Sequence, residues 1–363
     1  MLVPNSPIWI AGPARPAADP SALLSLRRRW DVLVVGAGLV GLLVADEVAR
    51  RGTSVAVLEA DHVGARSSGQ GMGIVAPLHA DRYDGLRRRH GLDVARGAAQ
   101  WSRRGVDLIA RAVHEGGISC GWTPATMYAC ATSTAGAAAV DAEAEAAEAC
   151  GLPVYASVAD DLPFRTTAAL GIDGGAHIDP YALCTGLAAS LARRGVPILE
   201  GTRVVAVDEG RDGVRLTLPA GSLTADHVVI ATQFPIAGPA RLVAGIIPTR
   251  ERVVAGRCST FAGHLRGMYS AVDDEGWSVR PRSGAGDGWS VMSGGSVRLR
   301  DEPDVLSQHQ RAQVLAERRL AMEVRGAWSL TGSTTVDGLP FVGPLRTASA
   351  CTVATGLGPW GPV

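Results

Sequence analysis

Three closely spaced glycines and a downstream carboxylate are the residues whose types and spacing point most directly to chemistry. Residues 36–41 read GAGLVG, and Glu59 follows 18 residues after the last of these glycines. Glycines at this spacing permit a tight turn, a close approach of the backbone to a diphosphate and close helix–strand packing. A carboxylate at the position of Glu59 can accept both hydroxyls of a ribose and disfavours a 2′-phosphate. The pattern therefore predicts a dinucleotide-binding turn.

The elements on either side of the turn fit that interpretation. Residues 31–36 (DVLVVG) form a short apolar run typical of a central parallel strand, and residues 54–58 predict a second strand. Between them, apolar residues from Leu42 to Ala49 keep one face of a helix hydrophobic until Gly52 ends it. The amino end of such a helix offers amide donors and a partial positive charge to phosphates. We predict a β-α-β unit that carries its acid at the end of the second strand.

Composition restricts the kind of partner. The chain has 363 residues, of which 47% are hydrophobic, so it can bury a sizeable core in one large or two interleaved domains. Basic and acidic residues are both 35, which leaves no net charge to attract nucleic acid or an anionic membrane. Every basic residue is an arginine, so the absence of lysine excludes a Schiff-base lysine and a P-loop lysine. We expect a small-molecule partner.

Metal, secretory and membrane signals are missing from the sequence. The six cysteines form no C-x-x-C pair and have no histidine at ligand spacing, so we predict no metal site and reduced thiols. Residues 1–20 carry no basic region followed by an apolar run, which argues against a secretory signal. No uncharged apolar run approaches the roughly 20 residues that a membrane span needs. A cytoplasmic protein without a membrane span is the expectation.

Three further features favour FAD over a nicotinamide dinucleotide. Residues 62–73 (HVGARSSGQGMG) are too rich in glycine and serine for an ordinary crossover. Their Arg66, Ser67 and Ser68 can continue the phosphate cradle, while Gly71 and Met72 pass the flavin ring. Strands are predicted at 201–207, 213–218 and 226–232, and a last strand opens into a glycine turn within 352–361. No second GxGxxG motif is present, so no separate nicotinamide domain is expected.

Together these motifs resemble the glycine oxidase / D-amino-acid oxidase family of FAD-dependent oxidoreductases, most closely its branch that often carries a C-terminal Rieske domain. The similar stretches lie in order along nearly the whole chain: SPIW (6–9), APLHADRYDGL (76–86), VIATQFPI (229–236), TVDGLPFVG (335–343) and VATGLGPWG (353–361).

The resemblance implies an α/β fold in which a doubly wound, glutathione-reductase-like FAD domain is interleaved with an α+β substrate domain on a mixed sheet. We assign 28–80, 172–235 and 330–363 to the FAD domain, 81–171 and 236–329 to the substrate domain, and 1–27 to an N-terminal extension. Helices are predicted at 93–115, 135–149, 181–194 and 305–323, with strands and turns over 248–300. Combined with the motifs above, the resemblance predicts which residues contact a non-covalent FAD. They are Gly36, Ala37, Gly38, Leu39, Val40, Gly41, Glu59, Ala60, Arg66, Ser67, Ser68, Gly71, Met72, Val204, Ala231, Thr232, Gly356, Leu357 and Gly358.

Catalytic candidates follow from what amine oxidation needs. Arg280 is predicted to clamp a substrate carboxylate, because the family often presents an arginine on this strand, with Arg282 and Arg298 as alternatives. His79 and Tyr83 follow the loop that passes the flavin and are polar candidates for the pocket. Trp277, Trp289 and Trp360 are candidates for an aromatic wall of the pocket, although buried aromatic side chains more often belong to the plain core.

The leading hypothesis is oxidation of a small amine or amino-acid-like substrate by hydride transfer to flavin N5. Family members continue past the last glycine turn with a helix and some oxidases use a lysine near the flavin, whereas this sequence stops at Val363 and has no lysine. Oxygen or another acceptor is therefore left open. Two alternatives remain: a tailoring oxidase or dehydrogenase acting on a carrier-bound or secondary-metabolite substrate, and a shortened, non-catalytic FAD-binding relative.

Overall fold

The structure is a computed structural model of the chain, and it describes residues 7–10, 28–157, 165–258, 265–273, 276–282, 288–301, 305–346 and 349–358. The α-helices of these residues are α1 Leu39–Arg50, α2 Ser67–Gln70, α3 Arg82–His90, α4 Leu92–Gly116, α5 Thr134–Ala149, α6 Pro180–Arg193, α7 Ala240–Ala244 and α8 Val305–Leu320. The strands are β1 Arg29–Val35, β2 Val55–Leu58, β3 Ile74–Val75, β4 Thr123–Ala131, β5 Tyr155–Ala156, β6 Ala168–His177, β7 Ile198–Leu199, β8 Ala206–Gly210, β9 Gly213–Leu218, β10 Gly221–Ile230, β11 Ile246–Cys258, β12 Met268–Ala271, β13 Ser278–Pro281, β14 Trp289–Arg298, β15 Met322–Thr335, β16 Phe341–Pro344 and β17 Cys351–Thr355.

The first sheet places the glycine turn at its centre. Its strands run in the order β16-β17-β10-β1-β2-β7, and β1 pairs in parallel with both β10 and β2. Strand β17 also pairs in parallel with β10, so the carboxyl ends of β1, β2, β10 and β17 meet at one edge. Strands β8 and β9 extend β10 as an antiparallel meander. In open parallel sheets, ligands bind at this edge.

The second sheet is mixed and larger. Its strands follow the order β15-β11-β14-β13-β12-β4-β6-β3, with β12 and β4 parallel and the other neighbours antiparallel, and β5 pairs with β6. The chain crosses between the sheets near the predicted domain boundaries, but β3, β6 and β15 pair in the second sheet throughout. The domain division stays a proposal, because β3 and the last residues of β6 and β15 fall within the ranges assigned to the FAD domain but pair in the second sheet.

Two apolar layers enclose the first sheet. One face packs against α1, α4 and α6 through side chains that include Leu42, Ile109 and Leu187. The other face packs against the meander through Leu33, Val214 and their neighbours. The central strand β1 buries consecutive residues because both of its faces are covered, which explains the unbroken apolar run in the sequence. The predicted α/β class with a mixed second sheet is confirmed.

Element boundaries match the expectations closely, with three exceptions. Helices α4, α5 and α6 begin and end within one residue of the predictions. Helix α8 stops at Leu320 rather than 323, because Ala321 adopts a positive φ of 45° and Met322 already begins β15. The strand predicted at 201–207 begins only at Ala206, since the preceding segment is tied to the end of β2 by the Thr202 amide, which donates to the Glu59 carbonyl at 2.6 Å. The strand predicted at 226–232 begins five residues earlier, at Gly221, and ends at Ile230.

Candidate functional site

A cavity of about 470 Å³ lies between the two sheets, at the edge where the parallel strands end. Its wall includes the glycine turn after β1, the acid after β2, the residues after β10 and the glycine turn after β17. The opposite wall comes from strands of the second sheet. The predicted nucleotide-binding segments, which are separated by more than 300 residues, therefore share one cavity.

The glycine turn has the geometry that a diphosphate requires. Gly36 has φ 107°, and a Cβ there would lie 2.8 Å from the Ala231 carbonyl oxygen. A Cβ on Gly41 would lie 1.9 Å from the Gly36 carbonyl oxygen, so only glycine lets α1 pack this close to the turn. Gly38 is the N-cap residue of α1 and has no side chain of its own to accept hydrogen bonds from the first amides of the helix. Helix amides and small residues thus face the cavity, which fits a bound phosphate.

Glu59 is held rigidly at the end of β2. Its Oε2 accepts a hydrogen bond from the Ala37 amide at 2.7 Å, and its Oε1 accepts one from the Asp61 amide at 2.8 Å. The carboxylate lines the cavity beside the glycine turn. This is the position from which an acid can receive ribose hydroxyls.

The serine-rich segment after β2 closes over the start of α1. The Ser68 hydroxyl accepts a hydrogen bond from the Leu39 amide at 3.0 Å, and the Ser67 hydroxyl donates to the Thr331 carbonyl at 2.5 Å. Arg66 is exposed and forms an ion pair with Asp61 at 3.1 Å. These contacts bring two hydroxyl groups and one guanidinium to the glycine-turn end of the cavity.

The loop that continues into β3 is fixed through its carbonyl groups. Trp9 Nε1 donates to Gly69 O at 2.7 Å and Trp328 Nε1 donates to Gln70 O at 2.9 Å. Arg280 Nε donates to Met72 O. Gly71 and Met72 line the cavity, so donors outside the cavity determine the path of this loop.

The far end of the cavity is closed by contacts between the two sheets. The Gln233 carbonyl, just after β10, accepts hydrogen bonds from Ser333 Oγ at 3.2 Å and Thr355 Oγ1 at 2.8 Å. The Gly358 amide donates to Ser333 O at 2.7 Å. The last glycine turn therefore stands against β15, and its residues face the cavity.

Most of the sequence-predicted cofactor residues meet on this cavity wall. Those that line it are Gly36, Gly38, Leu39, Val40, Glu59, Arg66, Ser67, Ser68, Gly71, Met72, Ala231, Thr232, Gly356, Leu357 and Gly358. Four predicted residues do not line it: Ala37, Gly41, Ala60 and Val204. Ala37 and Gly41 instead support the turn from behind, through the amide bonded to Glu59 and through close packing.

Arg280 is not on the cavity wall. Its side chain is 1% exposed, and besides Met72 O it donates to Ile178 O and Pro281 O at 2.8 and 2.7 Å. The guanidinium also lies 5.7 Å from the centre of the Trp9 ring. Burial lowers the pKa of Arg280 to about 9. The structure therefore places this arginine behind the loop at 69–72, where it binds backbone rather than substrate.

His79 and Tyr83 also lie away from the cavity wall. Both are buried, and the Tyr83 hydroxyl donates to the Pro77 carbonyl. Burial and the nearby Arg82 charge keep the pKa of His79 well below its usual value, and burial raises that of Tyr83 to about 12. Neither side chain is placed to exchange a proton with a molecule in the cavity.

The aromatic wall is not formed by the expected tryptophans among the described residues. Trp277 is fully buried in the core of the second sheet, with the Arg319 guanidinium over its ring, and Trp289 carries Arg282 over its ring. Neither lines the cavity. Trp360 lies outside the described residues.

Sequence reasoning missed the wall that faces the glycine turns. Four neighbouring strands each contribute a small hydroxyl residue or an acid, and only their pairing brings these together. The buried polar residues that these four strands contribute to the wall are Thr249 and Glu251 of β11, Ser270 of β12, Ser278 of β13 and Ser293 of β14. The Ser278 hydroxyl donates to that of Ser270 at 3.2 Å. Burial raises the pKa of Glu251, and a hydrogen bond with Ser293 opposes that shift.

The described part of the chain has neither a candidate membrane-spanning helix nor a candidate cluster of metal ligands. None of its helices has both the length and the apolar character that crossing a membrane requires. Its histidine, cysteine and acidic side chains form no group of three or more that could hold a metal ion. The six cysteines are buried free thiols.

Comparison with known proteins agrees with this geometry. The family model described as "FAD dependent oxidoreductase" (DAO) matches residues 31–362. A putative Rieske 2Fe-2S iron–sulfur protein, YhfW of Bacillus subtilis, is 24% identical over 91% of this chain, and the chain spans 65% of that protein's length. Gamma-glutamylputrescine oxidoreductase of Escherichia coli is 28% identical over 55% of this chain and 48% of its own.

A solved structure shares the fold. Glycine oxidase from Geobacillus kaustophilus superposes with a TM-score of 0.76 at 20% sequence identity, covering 93% of this chain and 91% of the other. On the strength of the family match over residues 31–362, the chain belongs to the DAO family of FAD-dependent oxidoreductases.

Proposed function

We propose that this protein oxidises a small amine or amino-acid-like substrate by transfer of a hydride to its FAD. The observation that carries the proposal is the single cavity that joins both glycine turns to a polar wall on the second sheet. Such a cavity lets one molecule bind along the first sheet while a second, smaller one binds between its ring and the opposite wall.

The wall residues support this chemistry through binding and orientation. When bound, FAD accepts the hydride that leaves the carbon next to the substrate nitrogen. The chain must hold that carbon in place and keep water out, and the buried hydroxyls of Ser270, Ser278 and Ser293 can accept hydrogen bonds from an amine. The rigid loop at Gly71 and Met72 fixes the distance between the two walls.

The names of two similar proteins also support an amine or amino acid as the substrate. The Escherichia coli relative is named for an amine substrate, and the structural neighbour is named for glycine. We therefore propose an amine or amino acid as substrate, non-covalent FAD as cofactor, and oxygen or another carrier as the acceptor of the electrons.

Anaerobic reduction of the bound flavin tests this function. The purified protein is expected to be yellow, and a panel of amines and amino acids should include members that bleach the flavin in the absence of oxygen. Glu59→Ala should lower FAD affinity at least tenfold, because it removes the acid beside the glycine turn. A protein that binds no FAD after reconstitution, or whose flavin stays oxidised with every amine tested, would contradict the proposal.

A further inference from the structure

The charged residues on the two walls of the cavity differ in their partners. At the glycine-turn end, the described wall carries Arg66, which forms an ion pair with Asp61, and Glu59, whose oxygens accept hydrogen bonds from two backbone amides. Among the described residues on the wall of the second sheet, the buried charged residue is Glu251, whose exposed fraction is 9%. A second acid, Asp81, lies at the exposed margin.

Glu251 adjoins a row of hydroxyl groups. Ser270 is the register partner of Ser278, and Ser278 is the partner of Ser293, so the three serines align across β12, β13 and β14. Ser293 also forms a hydrogen bond with the Glu251 carboxyl group. The row offers oxygen acceptors along its length, and the acid adds a negative charge to one end.

Two arginines near this wall are directed elsewhere. Arg280 donates to three backbone carbonyls behind the loop at 69–72. Arg250 lies between Thr249 and Glu251 on β11, and because strand side chains alternate, it points to the face opposite the cavity. A third, Arg298 of β14, is the register partner of Thr249 and lies on the same face of the sheet, but it is exposed and does not line the cavity. The described wall of the second sheet therefore brings no guanidinium to the place where a substrate carboxylate would bind.

We propose that the substrate is an amine cation without a carboxylate on its reacting carbon, and that Glu251 is the residue that selects it. This inference rests on the proposed function and names its substrate class. An ammonium group can pair with Glu251 and donate to the adjacent serine hydroxyls, which compensates the acid for its burial. A substrate carboxylate at the same place would meet a carboxyl group and hydroxyl oxygens with no cation to balance it.

The test compares three small probes and three variants. The probes are n-butylamine and 1,4-diaminobutane, which lack a carboxylate, and 2-aminobutanoate, which has one. Each is titrated calorimetrically into the FAD-loaded protein and is also used to bleach the flavin without oxygen. The variants are Glu251→Gln, which keeps the side-chain volume, Glu251→Asp, which keeps the charge, and Glu323→Gln, a control on the exposed side of neighbouring β15.

The wild-type protein should bind the two amines at least tenfold more tightly than 2-aminobutanoate. E251Q should weaken amine binding at least tenfold and reduce the preference for the two amines over 2-aminobutanoate. E251D should bind the amines more tightly than E251Q but less tightly than the wild type. E323Q should leave amine affinity and preference unchanged. Equal or tighter binding of 2-aminobutanoate by the wild type, or an unchanged preference in E251Q, would overturn the inference. If the amines bind preferentially but no probe bleaches the flavin, the inference stands and the proposed redox function fails.

Discussion

At the scale of single residues, the position of Arg280 changes the role expected for it. A guanidinium that donates to three carbonyl groups behind the loop at 69–72 acts on the cavity only through that loop. Its hydrogen-bond partners are neutral carbonyl groups, and the ring of Trp9 and the negative charge of nearby Asp179 also stabilise the guanidinium. We infer that Arg280 is a positioning residue for the cofactor.

Arg280→Met is expected to lower FAD affinity at least tenfold, because it releases the Met72 carbonyl and leaves its buried partners unsatisfied. Flavin fluorescence during reconstitution measures the affinity, and Arg282→Met, whose guanidinium lies over Trp289, is the control. A carboxylate clamp would behave differently. If FAD binding stayed normal while KM rose for amino acids alone, the clamp predicted from the sequence would be correct.

Site residues that lie within one short segment could be predicted from the sequence. Site residues that strand pairing brings together from distant segments could not. The glycine turn and Glu59 share one β-α-β unit, so their spacing along the chain determines their spacing in space. Glu251 and the serines of the opposite wall come from four strands. Serine and threonine in strands carry no local signal for a site, because such residues are more often exposed.

At the scale of elements, Glu143 of α5 caps the first turn of α3. Its two oxygens accept hydrogen bonds from the Tyr83 and Asp84 amides at 3.0 and 2.8 Å, and the side chain is fully buried. Helix α3 has no side-chain cap of its own at Asp81. A residue 60 positions away in sequence thus satisfies the orphan amides of this helix.

Glu143 should make stability depend on pH. Burial, with the nearby Asp81 and Asp84, raises its pKa to about 8, so the folded protein keeps a proton that the unfolded chain releases above its ordinary pKa. The stabilisation is complete below the unfolded pKa and is lost as pH rises towards 8, by up to about 1.4 kcal/mol per pH unit. Urea unfolding from pH 5 to 9 should show a wild-type decline that E143Q lacks.

Glu148→Gln, on the exposed side of the same helix, is the control for that measurement and should follow the wild-type curve. Parallel curves for wild type and E143Q would show that the carboxyl group titrates alike in both states. Helix α5 itself was expected from its alanine-rich sequence, but its capping role was not, because the contact depends on how α3 and α5 pack.

At the scale of the whole molecule, the two sheets line one cavity and are connected by hydrogen bonds at its far end. Gln233, Ser333 and Thr355 connect the end of β10 to β15 and β17 through hydrogen bonds. The first β-α-β unit and helices α4, α5 and α6 followed from hydrophobic patterns, whereas α3, β4 and β6 were not predicted. The membership of β3, β6 and β15 in the second sheet depended on long-range pairing. A ligand that spans both walls should therefore stabilise both sheets together.

Addition of FAD to the flavin-free protein should raise the unfolding temperature seen by both tryptophan fluorescence and far-UV circular dichroism. A hundredfold excess over Kd corresponds to about 2.7 kcal/mol of added stability. The Glu59→Ala variant should show a smaller rise at the same FAD concentration. A shift in one signal without the other would mean that the sheets unfold independently.

The contacts of Trp9 have a consequence for the order of folding. Its ring stacks edge-on against Trp328 at 4.9 Å between ring centres, and its indole nitrogen bonds to Gly69 O. Both partners are distant from Trp9 in sequence, so the binding site for its ring forms only after β15 has paired and the loop at 69–72 has folded. Residues 7–10 should accordingly be among the last to dock during refolding and among the first to exchange their amide hydrogens with solvent.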